Sequence, residues 1–255
     1  MLHKTKTLTN YKLGASDGDI GKLEEFYFDD KYWVARYLVV DTGNWITDKP
    51  DRRVLISPYA VVVVDEKKKI IATDLTKKQI KDSPSFNIDQ PVSRQAEKAY
   101  YEYYGWPMYW NGKHEWGFNS YPVREGQRAA DSDKAWEYNL RATGAVSGYH
   151  IQASDGDIGH IVDFILDDKT WAIRYLIVDT QNWLPGKHVL VSPQWIERIS
   201  WSEMKIFVNM SREAIKQAPE YTKDALITRD YETRLYSYHK RDGYWSDESE
   251  LAKSH

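Results

Sequence analysis

YKLGASDGDIGKLEEFYFDDKYWVARYLVVDTGNW, residues 11–45, returns 138 positions later as YHIQASDGDIGHIVDFILDDKTWAIRYLIVDTQNW, residues 149–183, with 21 of the 35 pairs identical. One unit is therefore used twice. After a loop that is shorter in the second copy, VLISP at 54–58 matches VLVSP at 189–193, and from there the offset holds at 135. Pro84 and Pro219, Glu97 and Glu232, Tyr101 and Tyr236, and Tyr109-Trp110 and Tyr244-Trp245 stay in step. This register divides the chain into a first unit with a helical tail (1–110), a linker or arm (111–148), a second unit with its tail (149–245) and an acidic C-terminal stretch (246–255).

Within each copy, strand signals dominate. Leu23–Phe28 and Trp33–Asp41 are rich in aromatic and β-branched residues around an Asp-Asp-Lys turn, a hairpin pattern that recurs at Ile161–Leu166 and Trp171–Asp179. Ser-Asp-Gly-Asp followed by Ile-Gly supplies the residues of a tight reversal. A second hairpin is predicted over 60–64 and 69–73, and over 196–199 and 205–208 in the second copy.

Trp33, Ala35, Tyr37 and Val39 alternate with Val34, Arg36, Leu38 and Val40, and both faces are largely apolar. Such a strand is covered on both sides, which points to a small closed barrel with something packed outside it. Arg36 and Arg174 interrupt the apolar pattern and are expected to pair with a turn aspartate. Thr76-Lys-Lys-Gln predicts a capped helix ending before Pro84, with Ser211 and Pro219 bounding its counterpart. A second helix places Val92, Ala96, Tyr100 and Tyr103 on one stripe, matched by Ile227, Tyr231, Leu235 and Tyr238. The fold class expected is mainly β with α: two small antiparallel β-barrels, each followed by short helices, related by internal duplication.

The run ASDGDIG, the hairpin through FDD and W(V/I)xRYL(V/I)VDT, and then VL(I/V)SP together resemble the PRC-barrel family, twice in one chain. That family is named for the cytoplasmic barrel of the photosynthetic reaction-centre H subunit. The resemblance runs from Tyr11 to about Thr73 and from Tyr149 to about Val208. It implies a bent antiparallel sheet closed into a barrel that holds other proteins. Fold ancestry alone does not carry a photosynthetic role across.

Bulk chemistry narrows the function. A net charge of −3 and a pI near 6.2 give no basic field to draw the chain onto nucleic acid. With no cysteine there are no disulfides, thiolate metal sites or thiol nucleophiles, and a reducing, cytoplasmic setting fits best. The N-terminus has no signal-like apolar stretch, and the longest apolar run, Tyr59–Val64, falls far short of the roughly 20 residues of a membrane span.

Reactive constellations fail on inspection. Gly14-Ala-Ser16-Asp-Gly18 matches a nucleophile elbow in letters only, since a strand follows it and the second copy has Gln152 in place of the first glycine. Asp17, Asp19, Asp155 and Asp157 lack the later donors of a calcium loop and read as turn aspartates. Asp29-Asp30 and Asp167-Asp168 read as hairpin tips. The seven histidines show no i, i+4 pair, so local spacing gives no zinc site, and His150 and His160 replace Lys12 and Lys22 at positions read as exposed. No enzymatic activity, metal or cofactor is expected.

Eleven tryptophans and 19 tyrosines remain, many at the ends of the units. Tyrosine and tryptophan favour interfaces, so the candidate interaction surface comprises Trp45, Trp183, Tyr104, Trp106, Tyr109, Trp110, Tyr238, Tyr244 and Trp245. The function expected is a protein-binding or assembly scaffold with a protein partner or self-association. The alternatives are a small-molecule or cofactor site at the barrel–barrel junction, lined by Trp45 and Trp183, and a peripheral subunit of a membrane redox complex.

Overall fold

The computed structural model describes residues 1–46, 52–86, 91–124, 139–180, 187–222 and 226–246. The first repeat runs β1 (Leu2–Lys4), α1 (Thr5–Leu8), β2 (Lys12–Ala15), β3 (Gly18–Asp29), β4 (Ala35–Asp41), β5 (Arg53–Ile56), β6 (Val61–Asp65), β7 (Ile70–Thr73), α2 (Lys77–Asp82) and α3 (Arg94–Tyr104). The second runs β8 (Leu140–Ala142), α4 (Thr143–Val146), β9 (His150–Ala153), β10 (Gly156–Asp167), β11 (Ile173–Asp179), β12 (His188–Val191), β13 (Ile196–Ser200), β14 (Lys205–Val208), α5 (Arg212–Lys216) and α6 (Arg229–Tyr238). The duplication thus reaches back to Leu2 and Leu140. Trp136, Tyr138, Trp183 and residues 247–255 lie outside the described residues.

Each repeat supplies most of one seven-stranded sheet. The orders are β5-β4-β3-β2-β7-β6, with β8 beside β3, and β12-β11-β10-β9-β14-β13, with β1 beside β10. The closed antiparallel barrels expected from the sequence are not what forms. β2 pairs with β7 and β9 with β14 in parallel, so both sheets are mixed, and neither closes into a barrel.

The residues that suggested closure are buried by another route. Tyr37 of β4 is covered by the tail helix, its ring 5.5 Å from Tyr100 and 6.3 Å from Tyr101. The Arg36 guanidinium lies 4.0 Å from the Tyr109 ring and 4.7 Å from that of Trp116. A strand apolar on both faces needs cover on both faces, and here aromatic side chains from the tail and, with Trp116, from the segment after it provide it.

The two glycines of ASDGDIG do different work. Ser16 and Asp17 form the turn, while Gly21 lies within β3 at φ 156°. A Cβ at Gly21 would stand 1.9 Å from the carbonyl oxygen of Asp41, and one at Gly159 the same 1.9 Å from that of Asp179. Each long strand therefore meets its neighbour at backbone distance, with register shifts beside the glycine at Leu13/Gly14 and Leu23/Glu25. The turn aspartates serve the helices: Asp17 Oδ1 accepts from the Lys77 amide at 2.8 Å, and Asp155 Oδ1 from that of Arg212 at 2.7 Å. The Thr76–Gln79 capping box forms as predicted.

The chain divides into two units: Met1, His3–Ala145 and Leu166–Ile173 in one, and Leu2, Val146–Ile165 and Arg174–His255 in the other. The first unit thus incorporates the hairpin tip of the second repeat. Val34 bridges to Ala172, the Ala35 amide donates to Trp171 O and the Ile173 amide to Trp33 O, both at 2.7 Å. Trp116 Nε1 donates to Thr170 O at 2.7 Å. The tip aspartates hold the strands that precede each repeat: Arg141 Nε lies 3.0 Å from Asp30 Oδ2, and His3 Nε2 2.8 Å from Asp168 Oδ2.

Candidate interaction surface

The tail helix is positioned by a charged residue buried beneath it. Glu97 of α3 is 3 % exposed and accepts hydrogen bonds from Tyr37 Oη at 3.0 Å and Tyr109 Oη at 2.7 Å, both on Oε1. Its second oxygen lies 2.9 Å from Arg94 Nη1, and Arg94 in turn lies over the Trp110 ring at 4.3 Å. Burial raises the Glu97 carboxyl above its usual range, opposed by Arg94 and the two phenols.

The second unit repeats this network residue for residue. Tyr175 and Tyr244 donate to Glu232 Oε1 at 2.8 and 2.7 Å, Arg229 Nη1 lies 3.1 Å from Oε2, and Arg229 lies over Trp245 at 4.2 Å. Two phenols and one arginine satisfy each carboxylate, so the network ties tail to sheet. The sequence carried a signal for it: Arg-x-x-Glu and Tyr-Trp hold register in both repeats. The stripes read from periodicity are rotated accordingly. Glu97, Tyr100 and Tyr101 face inward while Tyr103 is 42 % exposed, and Glu232, Leu235 and Tyr236 face inward while Tyr238 is 38 % exposed.

This geometry locates the aromatic candidates. Trp106, Tyr109, Trp110 and Tyr244 are buried in their own units. Tyr104 is half-buried and stacks on Trp106 at 4.4 Å and 12°, and half-buried Trp245 lies edge-on to Tyr236 at 5.1 Å. Half-buried Trp45 donates Nε1 to the Ile20 carbonyl, with Lys77 Nζ 4.4 Å from its ring centre. Tyr238 remains exposed, and Trp183 lies outside the described residues. Most of these rings cover their own sheet.

Other large apolar side chains reach solvent. In the first unit Val62 and Val63 of β6 are 66 % and 50 % exposed, and Phe118 and Tyr121 are also open. The matching positions of β13 hold Glu197 and Arg198. Both strands are terminal in their sheets.

His239, at the C-terminal end of α6, packs against Trp195 with ring centres 4.9 Å apart. Burial lowers its imidazole to about 4, and Arg241 adds to the effect. The folded chain therefore resists a proton that the unfolded chain, with an ordinary value of about 6.5, accepts. Stability is expected to fall as pH drops from about 6.5 towards 4, on the order of 1–2 kcal/mol from this group after discounting for partial exposure. Urea unfolding at pH 7.5 and 5 should show a shallower loss in His239→Phe than in wild type. Equal losses would remove His239 as the cause.

No group of three or more metal-ligating side chains converges among the described residues, and no helix there is long and apolar enough to cross a membrane. No family model matches the chain. No curated protein matches it either.

Proposed function

We propose that the chain is a non-enzymatic protein-binding or assembly scaffold of PRC-barrel descent, working in the cytoplasm, and that strand β6 of its first unit receives the partner. The observation that carries this reading is the contrast between the two repeats at one edge. An unpaired edge strand offers backbone donors and acceptors to any extended chain, and proteins commonly guard it with charge. β13 is guarded in that way by Glu197 and Arg198, whereas β6 presents Val62 and Val63. A partner segment lying along β6 gains main-chain hydrogen bonds and covers both valines, the chemistry of strand addition.

Three further features support the reading. The repeated motifs of the two units support the family kinship. The buried carboxylates Glu97 and Glu232 are occupied by phenols and arginines, which suits a structural role. The absence of cysteine suits a reducing compartment.

The test exchanges one edge for the other. Val62→Glu combined with Val63→Arg gives β6 the residues of β13 on an exposed strand, so folding should be retained, as checked by circular dichroism. A quantitative pull-down from the native host should recover a defined protein with wild type and at least about tenfold less with the double variant, the loss expected when central apolar contacts are replaced by charge. Equal recovery would show that β6 is not the docking edge.

A further inference from the structure

The cross-strand register brings together two histidines that are ten residues apart in sequence. His150 of β9 and His160 of β10 are direct partners in the antiparallel pair, and their ring centres are 6.3 Å apart with the planes at 50°. Both belong to the second unit. In the first repeat the same two positions are Lys12 and Lys22, also register partners.

We propose that the second unit binds one divalent transition-metal ion, such as zinc, nickel or copper(II), chelated by the imidazoles of His150 and His160. An imidazole nitrogen binds such an ion at about 2.0–2.1 Å, which sets two rings on one ion about 5 Å apart, centre to centre, at a tetrahedral angle. The observed separation is about 1 Å wider than that, a gap small enough for side-chain rotation to close. His150 is exposed, so its ring has room to rotate.

The surroundings of His150 favour a metal ligand. Asp157 Oδ2 lies 2.9 Å from His150 Nδ1, and Gln152 Nε2 donates to the same carboxylate oxygen at 2.9 Å. A carboxylate can only accept, so Nδ1 carries the proton and the ring's lone pair is on Nε2. Metal-binding histidines are commonly oriented in this way, with the second ring nitrogen donating to a carboxylate that is itself held in place. Of these four residues only the aspartate has its like in the first repeat, as Asp19, because Gln152 stands where that repeat has Gly14. Both imidazoles and the amide that steadies Asp157 therefore occur together in the second repeat only.

Two protein ligands leave the sphere incomplete. With no third donor side chain converging among the described residues, water or a donor from another molecule fills the open positions. Lys205, the register partner of His150 on β14, adds an ammonium beside the pair. The affinity is accordingly that of an open surface chelate, in the micromolar range, and not that of a closed structural site.

Calorimetric titration of the full chain with zinc chloride, repeated with nickel chloride, tests the proposal. Wild type should bind one equivalent, and His150→Asn and His160→Asn should each weaken binding by at least about tenfold. His188→Asn should leave it unchanged. His150 is exposed and His160 only half-buried, so the variants should keep the wild-type circular dichroism spectrum. The absence of any one-equivalent binding in wild type, or binding that survives either substitution of the pair, would overturn the site.

Discussion

Asp29→Ala should lower the unfolding free energy by about 3–5 kcal/mol, the cost of leaving one member of a buried ion pair without the other. Asp29 and Arg36 are both 0 % exposed. One oxygen of Asp29 accepts from Arg36 Nε at 2.7 Å and lies 2.7 Å from Nη2 as an ion-pair contact, while the other accepts from the amides of Lys31 at 3.2 Å and Tyr32 at 2.6 Å. Alanine therefore removes the countercharge and the turn's internal acceptor together. The Tyr109 and Trp116 rings still face the guanidinium, but a cation–aromatic contact, worth about 2 kcal/mol or more when desolvated, does not replace the lost countercharge. Asp30→Ala at the next position, where the Arg141 partner is 29 % exposed, should cost about 1 kcal/mol or less. Urea denaturation of the two variants decides the matter, and equal losses would contradict the account. Arg36→Met combined with Asp29→Ala should recover part of the loss, because the guanidinium left without its countercharge is then removed as well.

Gly159→Ala is the second large effect, about 3–4 kcal/mol, in the range reached when a substitution forces the backbone to move. The added methyl would stand 1.9 Å from the Asp179 oxygen and 2.9 Å from its carbonyl carbon, both rigid backbone atoms. The φ of 146° adds strain for any residue with a side chain. Gly14→Ala is the contrasting case, with nothing within 4 Å of the added carbon and glutamine already in place at the matching Gln152. It should be neutral. Thermal unfolding compares the two directly, and a Gly159→Ala protein as stable as Gly14→Ala would show that β10 and β11 separate without cost.

These two sites illustrate what the sequence makes legible. The duplication, both hairpins of each repeat, the Thr76 cap and the pairing of Arg36 with a turn aspartate follow from local pattern, because turn chemistry and alternation act over a few residues. Closure of the sheet does not. Apolar alternation around Tyr37 records that both faces are covered, but it is silent on whether a closing strand or a tail helix supplies the cover. The parallel pairing of β2 with β7 is likewise a long-range matter, with Leu13 partnered to Ile71. Glu97 escaped the helical stripe because a carboxylate on an inward face contradicts simple amphipathicity, and only Tyr37 and Tyr109, from distant segments, make it tolerable. The juxtaposition of His150 and His160 is hidden for a similar reason. Helical spacing does not relate them, and the β9–β10 register does.

Residues 166–173 complete the first unit, and this bears on how such a chain arises. A single repeat could not build that unit alone, since the Trp116 indole and Val34 find their partners in a hairpin tip from the other repeat. Two separate molecules would have had to meet, at a rate and extent set by their concentration. Carrying both repeats in one chain makes that encounter internal, at an effective concentration set by the connecting chain. The repeats can therefore differ at their surfaces, as at Val62 against Glu197 and Lys12 against His150, without losing the contact that completes the fold.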